Sequence, residues 1–144
     1  MKAISMSLPG VIKPYVRMTQ RSQYANPQAR EYIKSRNRLR DDMRTLMMVN
    51  RWQTIPRGVP LAVSVVVGWL RHNQDLDNIV KAVLDAANGV VYEDDCWVDM
   101  LVAQRAAVAG DPGVGLSVKI IGSGPEPGWQ VVAHSDRVAG GAKQ

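Results

Sequence analysis

The chain has 144 residues, enough for one domain with a moderate core. Hydrophobic residues at 46% and charged residues at 22% are ordinary for a soluble globular protein, and the longest apolar run, Val59 to Leu70, falls short of the ~18 residues a membrane span needs. A net charge of +5 hides a division: residues 1–59 hold 12 Lys/Arg against 3 Asp/Glu, and residues 60–144 hold 6 against 10.

The basic half suits a polyanionic partner, and the other half concentrates carboxylates. Such a separation fits a phosphate-tracking surface around an acidic metal site, although solvated basic faces also occur in proteins that touch no nucleic acid. The lone Cys96 excludes an internal disulfide and fits a reducing cytoplasm. Met1 to Pro9 lacks the pattern of a signal peptide. The expected location is the cytoplasm.

In chain order, Lys2 to Leu8 alternates weakly and is read as a strand stopped by Pro9-Gly10. Ile12 to Arg21 is a basic, irregular stretch carrying Lys13, Arg17 and Arg21. Asn26 as N-cap and Pro27 at the first helical position announce a helix, with Tyr32, Ile33, Leu39, Met43, Leu46 and Met47 as its apolar stripe. Arg30, Lys34, Arg38 and Arg44 fall on its other face. Val59 to Leu70 is rich in β-branched residues and reads as a central strand buried on both faces.

A polar step, Arg71 to Gln74, leads to a second helix capped by Asp77 or Asn78, packed through Ile79, Val80, Val83, Leu84 and Ala87, and stopped by Gly89. After the acidic turn Glu93-Asp94-Asp95, the stretches Trp97 to Val108 and Val114 to Ile121 read as an antiparallel hairpin about Gly110-Asp111-Pro112-Gly113. The predicted fold is a small mixed α/β (α+β) domain over residues 1–121, with about four strands and two main helices. Residues 122–144 are rich in Gly, Pro and Ser and read as a flexible tail.

The chemistry-bearing segment is Asp75 to Asp95. If the backbone leaves the strand extended, Asp75 and Asp77 project to one side, and two carboxylates so placed share a hard cation such as magnesium. Asp77, Lys81 and Asp85 recur every four residues along one helical face, so Lys81 stands one turn above Asp77, where an ammonium meets a phosphate. The plainer reading makes Asp77 an N-cap, Lys81 and Asp85 a surface pair, and Asp75 a solvated loop residue. A third carboxylate from the acidic turn, arriving beside the first two, would favour the metal, because clustered carboxylates repel one another without a cation. Cys96 reads as a small buried residue rather than a ligand, because a hard cation disfavours sulfur. Trp52, Trp69 and Trp97 read as core packing rather than base-stacking groups.

The run DLDNIVKAVLDAANGVVYEDDCWV, Asp75 to Val98, resembles the signature of the RusA family of Holliday junction resolvases, found in phages, prophages and bacteria. Upstream, KPYVRMT is similar to that family's basic segment and YANPQAREYI to its following helix start, so the likeness spans roughly residues 10–121. The chain departs from the family pattern in having only Pro9-Gly10 at the opening and Tyr15-Val16 where a denser Arg-Pro pattern is usual.

The resemblance implies a homodimeric, magnesium-dependent endonuclease, with manganese as a substitute, that nicks symmetric strands of a four-way DNA junction in recombination and repair. It implies metal binding and catalysis by Asp75, Asp77 and Asp95, and a phosphate-facing Lys81. Asn78, Asp85 and Asp94 would support them, and Lys13, Arg17 and Arg21 would contact DNA. A rival expectation is a module that binds branched DNA without cutting it. An Asp-nucleophile phosphotransferase or dehalogenase fits less well, because Ile79 already begins a helix where such enzymes continue a loop. A calcium loop lacks its sharp-turn glycine.

Overall fold

A computed structural model describes residues 3–19, 26–68, 74–106 and 112–121. The elements in order are β1 (Ala3–Pro9), α1 (Pro27–Val49), β2 (Leu61–Gly68), α2 (Leu76–Ala87), a short 3-10 turn (Asp95–Trp97), β3 (Val98–Arg105) and β4 (Gly113–Ile120). They form an α+β fold in which a four-stranded mixed sheet of order β1-β4-β2-β3 carries two helices.

One face of the sheet is the core. Register aligns Ile4, Val118 and Val63 across three strands, then Met6, Leu116 and Val65, then Leu8, Val114 and Val67, and all nine side chains are buried. Cross-strand rows of branched and long apolar groups are the stabilising unit of a sheet. The helices close over these rows. Tyr32, Leu39, Met43 and Met47 of α1 and Ile79, Val80, Ala82, Val83, Ala86 and Ala87 of α2 supply the buried stripes. Asn26 caps α1 through its side chain, which accepts from the Gln28 amide at 2.9 Å, as its sequence position implied.

Three expectations are corrected. The strand at Val59 to Leu70 is not buried on both faces: within β2, Ser64, Val66 and Gly68 are only half-buried, because both helices lie on the opposite side and the face carrying Ser5, Ser64 and Ser117 is left uncovered. Trp69, Leu70 and residues 71–73 of the polar step lie outside the described residues. The hairpin does not form either. β3 pairs in parallel with β2, and β4 inserts between β1 and β2, antiparallel to both. Gly110, Asp111 and Val108, read as part of its turn and first strand, lie outside the described residues, as does the 122–144 segment. Finally, the cap of α2 is Asp75, and Asp77 sits inside the first helical turn.

The parallel β2-α2-β3 unit decides where the acidic groups go. The start of β3 lies beside the start of β2, with Val98 opposite Leu61, whereas Asp75 follows the far end of β2. β3 therefore runs back along α2, and the Arg105 guanidinium near its end donates to the Gln74 carbonyl at 2.7 Å. Asp95 thus belongs to the C-terminal end of α2 and Asp75 to its N-terminal end.

Candidate active site

The turn after α2 is held from several sides. Gly89 adopts φ +77°, a conformation open to glycine, and lets the chain reverse. The Ile55 amide donates to Val91 and the Glu93 amide donates back to Ile55, both at 2.9 Å. Tyr92 reaches the Leu84 carbonyl with its hydroxyl, and Asn88 accepts from the Asp95 amide at 2.9 Å. Arg40 of α1 donates to the Asp85 and Ala86 carbonyls at 2.8 and 3.1 Å, placing a cation on the negative end of α2.

These contacts divide the acidic turn. Glu93 and Asp94 face Arg57, at 3.9 and 3.6 Å. Asp94 also accepts from the Cys96 amide at 3.0 Å; that backbone bond first, and Arg57 after it, hold its carboxyl below the usual range. Asp94 is a capping residue here. Asp95 instead turns toward α2, where partial burial, and then the charges of Asp85 and Asp94, push its carboxyl up against the lowering effect of the Asn88 contact. Cys96, expected to be buried, is exposed, because the 3-10 turn points it outward. Trp52 packs against the edge of the core, Trp97 is half-buried, and Trp69 lies outside the described residues.

A groove of about 330 Å³ runs along α2 beside β3, lined by Leu76, Val80, Leu84, Leu101 and Ala103 together with Asp77, Lys81, Asp85 and Asp95. Asp75 is not among the lining residues. It is exposed at the helix cap, where its carboxylate lies 3.4 Å from the side-chain Nδ2 of Asn78 and caps no backbone amide. The extended arrangement of Asp75 and Asp77 therefore does not occur, since the helix begins between them.

Eight residues separate Asp77 from Asp85, about 12 Å of helix axis, and Asp95 lies at the Asp85 end. Carboxylates of one ion each sit within about 2.1 Å of it. The convergence of Asp75, Asp77 and Asp95 on one ion is accordingly not formed, and among the described residues no group of three or more His, Cys, Asp or Glu is placed to hold a metal. What the fold does bring into one groove is Asp77, Lys81, Asp85 and Asp95.

Two groups near this groove are not evident from sequence. Tyr32, part of the apolar stripe of α1, is buried yet donates its hydroxyl to Asp85 Oδ2 at 2.8 Å. Tyr15 lies against Lys81, with Nζ 4.0 Å from its ring centroid. The only signal was chemical: a buried tyrosine seeks a partner for its hydroxyl. The segment bearing Tyr15 lies along α1, where the Lys13 amide donates to Ser35 Oγ and Arg38 donates to the Val11 carbonyl. Lys13 and Arg17 are exposed on it, whereas Arg21 lies outside the described residues.

Both buried phenols resist ionisation. Burial is the main cause for each, followed by the Asp85 hydrogen bond for Tyr32 and the charge of Asp95 for Tyr92. Their folded pKa values exceed the unfolded value of about 10, so the stability they contribute is intact below that pH and is lost as pH rises toward the folded values. Ultraviolet titration should show Tyr32 and Tyr92 ionising only as the chain unfolds. Phenolate assigned to Tyr32 or Tyr92, by its absence in the matching Phe variant, forming near the ordinary pKa with circular dichroism unchanged would contradict these environments.

The model of the endodeoxyribonuclease RusA family matches residues 12–120, most of the chain, and the protein belongs to that family of nucleases. No curated protein matches the chain in sequence. Among the described residues no helix is long and apolar enough to cross a membrane.

Proposed function

We propose that the chain is a divalent-metal-dependent endonuclease that resolves four-way DNA junctions as a homodimer. The observation that carries this is the groove that Asp77, Lys81, Asp85 and Asp95 line together, inside the segment matched to a nuclease family.

The donor set is hard oxygen, which suits magnesium or manganese. Magnesium is commonly held by one or two carboxylates, with waters and substrate phosphates completing its shell. The groove fits an ion in that partial way, at Asp77 on one level and at Asp85 with Asp95 on the other. It does not supply one closed three-carboxylate shell. Asp75, at the cap, would act on the Asp77 level through the helix start rather than from within the groove.

A bound ion would polarise the phosphate and make its water nucleophilic at neutral pH. Lys81 lies between the two acidic levels, about 6 Å of axis from each. Its ammonium would meet the scissile phosphate and offset the charge that builds as water adds and the ester P–O bond breaks. Lys13 and Arg17 would track the backbone phosphates leading to the groove, making binding weaken with salt. Two-fold symmetry of a dimer would present paired grooves to the paired strands of a junction.

The test is a synthetic four-way junction incubated with and without magnesium, with the nicks mapped on a gel. Paired, symmetric nicks that require the ion are expected. Tight binding without nicks at any magnesium or manganese concentration would favour the non-catalytic junction-binding module.

A further inference from the structure

Lys81 stands on an exposed turn of α2, and a lysine there ordinarily samples many rotamers in water. Two carboxylates lie one turn away by helical spacing, Asp77 four residues before it and Asp85 four residues on. Asp85 is otherwise engaged, accepting the Tyr32 hydroxyl at 2.8 Å. The Lys81 ammonium instead lies over the face of Tyr15, 4.0 Å from the centroid, well inside the ~6 Å range of cation–π attraction.

Tyr15 is itself fixed. Its backbone amide donates to the Asn78 carbonyl at 3.0 Å, tying it to the first turns of α2. Its ring meets that of Tyr32 edge to face, with centroids 5.4 Å apart and planes at 81°. Tyr32 is 1% exposed and locked at its far end by Asp85, and the Arg36 guanidinium lies 5.8 Å from its centroid on α1. The contacts close a circuit from Lys81 through Tyr15, Tyr32 and Asp85 back to α2. A ring attracts an ammonium without neutralising it or occupying its strong donors, whereas a carboxylate partner would do both and compete with a phosphate.

We propose that Tyr15 is a positioning residue for Lys81: its ring face holds the ammonium at mid-groove with its donors free for the scissile phosphate. This rests on the reading of Lys81 as the phosphate-facing lysine. It also gives a purpose to the position where the chain departs from the family's Arg-Pro pattern.

Three variants and one spectrum test it. Tyr15→Leu should lower the single-turnover rate of junction cleavage about tenfold to a hundredfold while the junction Kd stays within about twofold. Tyr15→Phe, which keeps the ring, should restore the rate to within about threefold of the parent. In the NMR spectrum, the ε-methylene protons of Lys81 should be shifted upfield by the ring current in the parent and in Tyr15→Phe, independently of any cleavage or of the folding of Tyr15→Leu. Unshifted ε-protons in the parent, equal losses in the Phe and Leu variants, or a loss carried wholly by Kd would each overturn the proposal. Lys81→Met separates the two levels of inference. If it cuts at the parental rate, the reading of Lys81 fails. If it is inactive while Tyr15→Leu cuts normally, the positioning role alone fails.

Discussion

Asp77→Asn is expected to lower junction cleavage by about a thousandfold while leaving junction binding intact. The substitution preserves shape and removes the charge that a hard cation needs. Asp77 is exposed in the first turn of α2, lines the groove, and makes no contact that holds the core together. Its loss should therefore leave the melting temperature close to that of the parent, apart from the small benefit an acidic group brings to a helix N-terminus. Binding is set by the basic segment rather than by this acid, and removing a negative charge beside a phosphate path should tighten it slightly. Single-turnover cleavage and a gel-shift titration, run at one salt concentration, separate the two quantities. Cleavage at the parental rate would remove Asp77 from the site. A matching loss of binding would instead make it a residue of the DNA interface.

The helices and the edge strand were legible in the sequence because their signals are local. Asn26-Pro27, the stripe from Tyr32 to Met47 and Gly89 each state their role within a few neighbours, and the structure keeps all three. Strand pairing is not local. The Gly- and Pro-containing stretch before Val114 looks like a hairpin turn, yet β4 slides between β1 and β2, where Val114, Leu116 and Val118 complete the apolar rows. Burial of those rows, rather than turn chemistry, selects the partner.

The site followed the same division. The four-residue spacing of Asp77, Lys81 and Asp85 is a property of one helix and survives in the groove. The arrival of Asp95 depends on the direction of β3. A parallel return carries the residue before that strand to the far end of the helix, so Asp95 joins Asp85 and not Asp75. Tyr15 and Tyr32 were unreadable for a related reason: their partners lie 66 and 53 positions away.

Asp95→Asn is expected to cost cleavage about a hundredfold to a thousandfold and to cost no thermal stability in the presence of a chelator. The backbone amide of Asp95 donates to Asn88 Oδ1 and that bond survives the change, while the side-chain contact with Asn88 is one that the amide oxygen of an asparagine can still accept. The carboxylate is half-buried near Asp85 and Asp94, so neutralising it removes repulsion rather than support. A divalent ion relieves the same repulsion in the parent. Magnesium should then raise the parent's melting temperature in proportion to RT ln(1 + [L]/Kd), and the variant should lose the part of that shift arising at the Asp85 end. Because about 12 Å of helix separates this level from Asp77, Asp77→Asn should leave that part in place, and the double variant should lose both. Loss of the entire shift in each single variant would mean that one ion bridges Asp77 and Asp95, which requires α2 and the acidic turn to move together on binding. A fall in the chelated melting temperature of Asp95→Asn would assign this carboxylate to holding the turn rather than to holding an ion.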